Sequence, residues 1–203
     1  MKKQAVTKIV LSVFLVAMAG MVVLAIISKE TFIALMNQPA LIKHARFLHI
    51  AAVTLFFSNA VVGMIWERRS LASGSKDIIL HTYNTVTLLD SLLSSPLIVL
   101  SLLGGLSLSF QLGDLMQIGW LSVGFLLFML SGAVWVISDI PTQYKVKQFL
   151  SRISETDQTL PPELIRVMKL RWWIGIAGVL PLAVAFVLMV YKPDITAVAE
   201  WFR

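Results

Sequence analysis

The sequence predicts an all-α integral membrane protein, a polytopic bundle of about five transmembrane helices. Of its 203 residues, 58% are hydrophobic and only 14% are charged, too little polar surface to cover a water-soluble domain of this size. A helix rises roughly 1.5 Å per residue, so about 20 mostly apolar residues cross a hydrocarbon layer of about 30 Å. Five stretches meet this requirement: residues 9–28, 47–65, 86–106, 118–138 and 172–191.

The first stretch is interpreted as an N-terminal anchor, residues 1–28, in front of a four-helix membrane core over residues 41–193. A basic start, an apolar run and the small-x-small sequence Ala17-Met18-Ala19 are also typical of a signal peptide. Cleavage there would leave residues 21–27 as a bare apolar end, which favours an uncleaved anchor. Four spans would remain otherwise.

The third stretch, residues 86–106, is the least apolar because it contains Asp90, Pro96 and several serines. It is still predicted to span the membrane, since residues 91–112 carry no charge.

Residues 139–171, between the last two stretches, form the one sizeable soluble segment. The polar sequence at 154–162 predicts a loop, and Pro162 suits the first turn of a new helix. At the start of the segment, Pro141 should break the regular helix and place Gln143 and Tyr144 at the inner mouth of the bundle, unless the helix simply leaves the membrane there.

The distribution of basic residues predicts the orientation. With the N-terminus in the cytoplasm, twelve of the 17 Lys and Arg residues fall on the cytoplasmic side, as expected when short loops retain positive charge inside. This places the chain in a bacterial inner membrane with its C-terminus outside, periplasmic or extracellular.

The composition also excludes several function classes. The chain has no cysteine, which rules out a disulfide framework, a thiolate nucleophile, an Fe–S cluster and a cysteine zinc site. The formal charge of +6 is spread over short loops between apolar runs and forms no single basic patch. We therefore expect the lipid bilayer as a partner and no nucleic acid.

Asp90 is the first candidate for chemistry, because an ionisable side chain inside a span is costly. Helical spacing places it in a polar stripe that leads to Gly104 and consists of Tyr83, Thr87, Asp90, Ser94 and Ser101. One interpretation is a proton or quinone site with Asp90 as its titrating group and Tyr83 and His81 nearby. The other is that Asp90 only caps or hydrogen-bonds a neighbouring helix.

His49 is the second candidate, at the head of a stripe of mostly small residues, namely Ala52, Phe56, Asn59 and Gly63. Such a stripe would accommodate either a wide flat partner or a close helix. Haem is a flat partner that a neutral imidazole commonly binds. The alternative is a histidine that hydrogen-bonds a neighbouring helix near the outer interface.

A second haem ligand would have to lie at the same depth as His49. His81 falls at the opposite membrane surface, roughly 30 Å away, and His44 lies on a different helical face. Met189 is the best-placed candidate, followed by Met116. Methionine is an established haem ligand, although it more often fills apolar cores.

Several short motifs together resemble a bacterial family of predicted integral membrane proteins of unknown function, over residues 41–193. They are Leu48-His49-Ile50, Gly63-Met64-Ile65-Trp66, Trp135 with Pro141-Thr142-Gln143, and Met189-Val190-Tyr191-Lys192-Pro193. That family is similar to HemJ-type protoporphyrinogen oxidases and to CopD-type copper-resistance membrane proteins. The resemblance implies a four-helix membrane core with an additional N-terminal helix.

The HemJ likeness further implies a b-type haem held by the histidine at the head of the first core helix, which matches His49. The HemJ pattern also includes a lysine inside the membrane core. Here no lysine lies within a predicted span, and Lys192 is only at an edge. This departure argues against the oxidase activity and leaves haem binding open.

The sequence therefore predicts a small haem b protein that transfers electrons between haem and a quinone or a membrane partner subunit. The rival hypothesis is a non-enzymatic membrane subunit or assembly factor without a cofactor. A transporter that uses Asp90 as its coupling carboxylate ranks third, since the chain is short and has no internal repeat. A homo-oligomer is compatible with each of these.

Overall fold

The structure is a computed structural model that describes residues 9–201, except 10, 11, 14, 15, 18, 22, 25, 26 and 154–159. Its described residues contain helices and turns and no strand, which confirms the all-α prediction. The predicted first span, residues 9–28, lies partly outside the described residues. The described positions between 9 and 27 are helical.

One short and four long helices follow. The short helix α1 is Lys29–Met36, and a 3₁₀ turn at Pro39–Leu41 leads into α2, Ile42–Ser73. Helices α3 and α4 each contain one π-helical turn. The segments of α3 are Lys76–Leu89, the π turn Asp90–Ser94 and Ser95–Leu112, and those of α4 are Gly119–Val134, the π turn Trp135–Asp139 and Ile140–Arg152. Helix α5 is Pro162–Tyr191, and a 3₁₀ turn at Val198–Glu200 follows it.

The four long helices are the four predicted spans of the core. Each is long enough to cross a bilayer, and their mean hydropathy lies between 1.9 and 2.4 over the most apolar window. At most 33% of such a window is buried inside the protein. Because most of these apolar side chains face outward, the chain is a multi-pass integral membrane protein whose helices contact lipid.

Each π turn ends two residues before a proline, the first before Pro96 and the second before Pro141. A proline has no N–H for the carbonyl one turn earlier, and its ring clashes there, so the extra residue of a π turn relieves the conflict. The predicted interruption of the regular helix at Pro141 takes the form of a π turn, and α4 continues through it to Arg152, so residues 153–161 separate α4 from α5.

Two glycines allow the tight connections. Gly74, between α2 and α3, has φ +66°, and Gly113, which ends α3, has φ +127°. L-residues with a Cβ rarely adopt these angles. The predicted helix start at Pro162 is confirmed, since Pro162 is the first residue of α5.

The chain forms two compact units, and the long helices contribute to both. The first comprises residues 1–58, 88–122 and 193–203. In it, α1 packs on the end of α3: Phe32 meets Phe110 edge-to-face at a centroid distance of 6.0 Å, and Ser107 Oγ donates to the carbonyl of Met36 at 2.6 Å. The C-terminal segment packs against Gly119, where any Cβ would collide with the carbonyl of Ile195.

The second unit comprises residues 59–87 and 123–192. Its core lies where the ends of α3, α4 and α5 meet, and it consists of Ile79, Tyr83, Val146, Leu150, Ile153, Leu164 and Met168. Lys76 Nζ donates to the carbonyl of Ile153 at 2.6 Å beside this core. The helix ends thus pack like the interior of a soluble protein.

Cysteine labelling tests the order of the spans, and the absence of native cysteine makes each variant specific. Ala72→Cys lies at the exposed end of α2 and Gln117→Cys in the exposed turn before α4. Since α3 crosses the membrane between them, a membrane-impermeant maleimide should label Gln117→Cys in intact cells and Ala72→Cys only after lysis. Ser101→Cys, at a position that is 1% exposed, should resist labelling in both cases. Labelling of both exposed cysteines from the same side would contradict the assignment of α3 as a span.

Candidate functional site

His49 lies in the first two turns of α2 and contacts the second half of α3. Its Nδ1 lies 2.6 Å from the backbone carbonyl oxygen of Ser101. A carbonyl oxygen can only accept, so Nδ1 carries the proton and donates it. In the neutral ring Nε2 then carries the lone pair.

Two consecutive glycines make this contact close. A Cβ at Gly104 would lie 2.9 Å from both the Ala45 carbonyl oxygen and the Cβ of His49. A Cβ at Gly105 would lie 2.9 Å from Cε1 and 3.2 Å from Nδ1 of the imidazole. Any side chain at these two positions would push the helices or the imidazole aside.

Two residues of the stripe that follows His49 are buried inside the protein. Ala52 is 2% and Phe56 7% exposed. Gly63 faces Val86, whose Cγ1 would lie 3.7 Å from an added Cβ. A close helix, the second of the two predicted partners for this stripe, therefore accounts for these small residues.

The two methionines predicted as second ligands lie in different surroundings. Met189 belongs to the second unit, and its Cε would lie 2.9 Å from a Cβ at Gly124 of α4. Met116 is exposed in the turn between α3 and α4. His44 and His81 are also exposed. A role for Met189 or Met116 as a ligand stays a prediction.

The predicted polar stripe on α3 is buried at Tyr83, Thr87, Ser94 and Ser101. Asp90 itself is only half-buried, while its neighbour Ser91 is 4% exposed. Asp90 and Ser91 both lie in the π turn Asp90–Ser94, while Thr87 before it and Ser101 after it are buried as helical spacing predicts. His81, two residues from Tyr83, lies on a different face.

The most buried ionic group of the described chain centres on Arg171, and sequence reasoning missed it. Arg171 is 4% exposed and pairs with Glu67 through two bonds, Nε to Oε2 at 3.0 Å and Nη2 to Oε1 at 2.8 Å. Asp139 Oδ1 lies 3.2 Å from the same Nη2. Tyr83, which is fully buried, donates its hydroxyl to Glu67 Oε2 at 3.0 Å. We call these four residues the Arg171 cluster.

Nη1 of Arg171 completes the arrangement. It donates to the carbonyl oxygen of Asp139 at 2.7 Å and to Thr142 Oγ1 at 2.9 Å. Every nitrogen of the guanidinium therefore has an acceptor. The π turn that ends at Asp139 presents both its carboxylate and its carbonyl to the same arginine.

The sequence held a signal for this cluster. Glu67 follows Trp66 at the end of one predicted span, and Arg171 precedes Trp172 at the start of another. Asp139 closes a third span at the same predicted membrane surface. Arg171 is predicted only as one of the basic residues of the cytoplasmic side, whereas the structure buries its side chain among the helices.

Among the described residues, no three His, Asp or Glu side chains come together as the ligands of a bare metal ion would. The chemistry that these residues offer is therefore that of an imidazole with a fixed tautomer and, separately, of two carboxylates that share one guanidinium.

Arg171→Met should lower the free energy of unfolding by about 3–5 kcal/mol, because it leaves the Glu67 carboxylate without its counter-ion. Adding Glu67→Gln to it should recover part of the loss. Arg166→Met, at an exposed position on the same helix, should change the free energy by less than about 0.5 kcal/mol. Denaturant titration in mixed micelles measures all three. An Arg171 variant as stable as the Arg166 variant would show that the cluster contributes nothing to folding.

Comparison with known proteins agrees with the fold. Residues 43–193 match the family described as "Predicted integral membrane protein (DUF2269)". Neither a curated protein nor a solved structure matches the chain. The match confirms the predicted likeness to a membrane protein family of unknown function. Since it covers well over half of the sequence, the chain belongs to the DUF2269 family of predicted integral membrane proteins.

Proposed function

We propose that the protein is a haem b-binding redox protein of the bacterial inner membrane, with His49 as an axial ligand. The observation that carries the proposal is the hydrogen bond from His49 Nδ1 to the Ser101 carbonyl. Histidines that bind metals usually donate their other ring N–H to a carbonyl or carboxylate, which fixes the tautomer and makes the ligating nitrogen more basic. His49 meets this requirement within the chain itself.

The donor set fits haem. A porphyrin supplies four iron ligands itself, so a single imidazole suffices to attach it, with or without a thioether such as that of Met189. Bound haem would supply a one-electron couple between ferric and ferrous iron. The chain's own contribution is to hold the imidazole: Ser101 fixes its proton, and Gly104 and Gly105 let α3 approach it.

The excess of basic residues favours an orientation in which the helix ends at 73, 76, 152 and 162 lie in the cytoplasm and His49 lies near the outer surface. An electron partner at that depth would be a quinone or a membrane-bound partner subunit. The C-terminus would then be periplasmic or extracellular.

A second candidate function is a non-enzymatic membrane subunit or assembly factor. One observation favours it: close helix contact explains the small residues around His49, and the Nδ1 hydrogen bond already gives the imidazole a structural role between α2 and α3. Interhelical hydrogen bonds of this kind contribute about 0.6 kcal/mol in membranes. A protein of this class would tolerate the loss of His49.

Absorption spectroscopy separates the two candidates. Protein purified in detergent from haem-replete cells should show a Soret band that shifts on reduction, because the imidazole ligates the iron. His49→Ala should lose the band. His44→Ala, at an exposed position on the same helix, should keep it. A wild-type preparation without a Soret band would overturn the haem proposal in favour of the second candidate.

Gly105→Ala tests whether the imidazole must be held in place. Its Cβ would lie 2.9 Å from His49 Cε1, so we expect haem affinity to fall by about tenfold or more, the range for groups that orient a metal ligand. Gly132→Ala is the matched control, since nothing lies within 4 Å of its added Cβ. Haem titration of the two purified variants gives the comparison, and equal affinities would contradict a positioning role for Gly105.

A further inference from the structure

We infer that the Arg171 cluster is a proton-binding site in which the carboxyl group of Asp139 holds the proton. The cluster does not include His49, and proton binding there needs no haem. Glu67 and Asp139 bring two negative charges to the cluster, and Arg171 brings one positive charge. With both carboxylates ionised, the cluster would carry a net negative charge among membrane helices.

Such a net charge is costly where solvation is poor, and binding one proton removes it. The charged groups that act on Asp139 are Arg171 from α5 and Glu67 from α2, and Tyr83 from α3 contacts both of them. Tyr83 already donates its proton toward Glu67, and its ring lies 5.4 Å from the Arg171 guanidinium. The proton is therefore held by one of the two carboxylates, Glu67 or Asp139.

The hydrogen bonds decide that choice. Glu67 accepts two bonds from the guanidinium and a third from Tyr83, all of which favour its ionised form. Asp139 faces the guanidinium through a single oxygen at the longer distance of 3.2 Å. A proton on Glu67 would compete with three hydrogen bonds, whereas a proton on Asp139 competes with one ion contact.

Arg171 is unable to compensate Asp139 more fully. Nε is committed to Glu67, and Nη1 is committed to the Asp139 carbonyl and to Thr142. Turning the guanidinium toward the Asp139 carboxylate would break these bonds. The side chain of Asp139 is also the most exposed of the three charged partners, 18% against 13% for Glu67 and 3% for Arg171, so it is the member that exchanges a proton with the surroundings. The step is simple protonation of a carboxylate, with no change in oxidation state.

Infrared spectroscopy of the membrane-embedded protein at neutral pH tests the inference. We expect the C=O stretching band of a protonated carboxylic acid, which Asp139→Asn removes. Asp77→Asn, at an exposed position on α3, and Asp90→Asn should both keep it. A spectrum without this band, or a band that survives Asp139→Asn, would overturn the assignment.

Two further measurements test the same assignment, and the first of them needs no variant. In the wild-type protein, aspartate labelled with ¹³C at its carboxyl carbon should shift the band, whereas labelled glutamate should not. An unshifted band with labelled aspartate contradicts the inference. In thermal unfolding, Asp139→Asn, which mimics the protonated acid, should melt close to wild type, while Glu67→Gln should lower the melting temperature by about 6 °C or more. Equal losses from the two variants would show that both carboxylates are ionised.

A failure of the proton-site inference is distinguishable from a failure of the haem proposal. The infrared band and the melting temperatures depend only on the Arg171 cluster and need no haem, whereas the Soret band depends on His49. Either result can fail while the other stands.

Discussion

Hydrocarbon offers no hydrogen-bond partner, and this constraint governs how polar groups are placed in the structure. Among the described residues, no buried side-chain nitrogen or oxygen atom lacks a partner. The buried serines show how this is achieved: Ser70, Ser101 and Ser122 each donate to a backbone carbonyl three residues earlier. Ser131 instead crosses to another helix and donates to the carbonyl of Gly178 at 2.6 Å. Polar side chains are thus accepted in these helices because the backbone satisfies them.

The same constraint explains why the two interruptions of the long helices take the form of π turns. A proline inside a span removes one backbone donor, and an unsatisfied carbonyl in lipid costs several kcal/mol. At Asp90–Ser94, Ser95 donates its hydroxyl to the carbonyl of Asp90 at 2.8 Å. At Trp135–Asp139, Thr142 donates to the carbonyls of Ser138 and Asp139. Each π turn therefore comes with a nearby hydroxyl that donates to a carbonyl of the turn, and each contains an aspartate.

Features that depend on neighbouring residues could be predicted from the sequence, and contacts between distant residues could not. Hydropathy predicted the four core spans, and Pro162 predicted the start of α5, because both depend on neighbouring residues only. Helical spacing predicted the buried positions of Thr87 and Ser101 but also placed Asp90 inward, whereas Asp90 is half-buried in the π turn. The Arg171 cluster joins Glu67 to a residue 104 positions away, and charge counts along a single chain carry no information about such pairs. Only the similar membrane depth of Glu67 and Arg171 could be inferred from the sequence.

The two interpretations of His49 use different atoms of its ring. Helix packing requires the Nδ1 hydrogen bond and the carbon edge that rests on Gly105, and both are satisfied within the chain. It does not require a basic nitrogen, since an asparagine or serine could join two helices equally well. An imidazole held as the Nδ1–H tautomer adds one property that those side chains lack, a lone pair on Nε2 whose basicity the Ser101 carbonyl increases. The helix-packing interpretation leaves this lone pair without a role, which is why we propose that it binds haem iron.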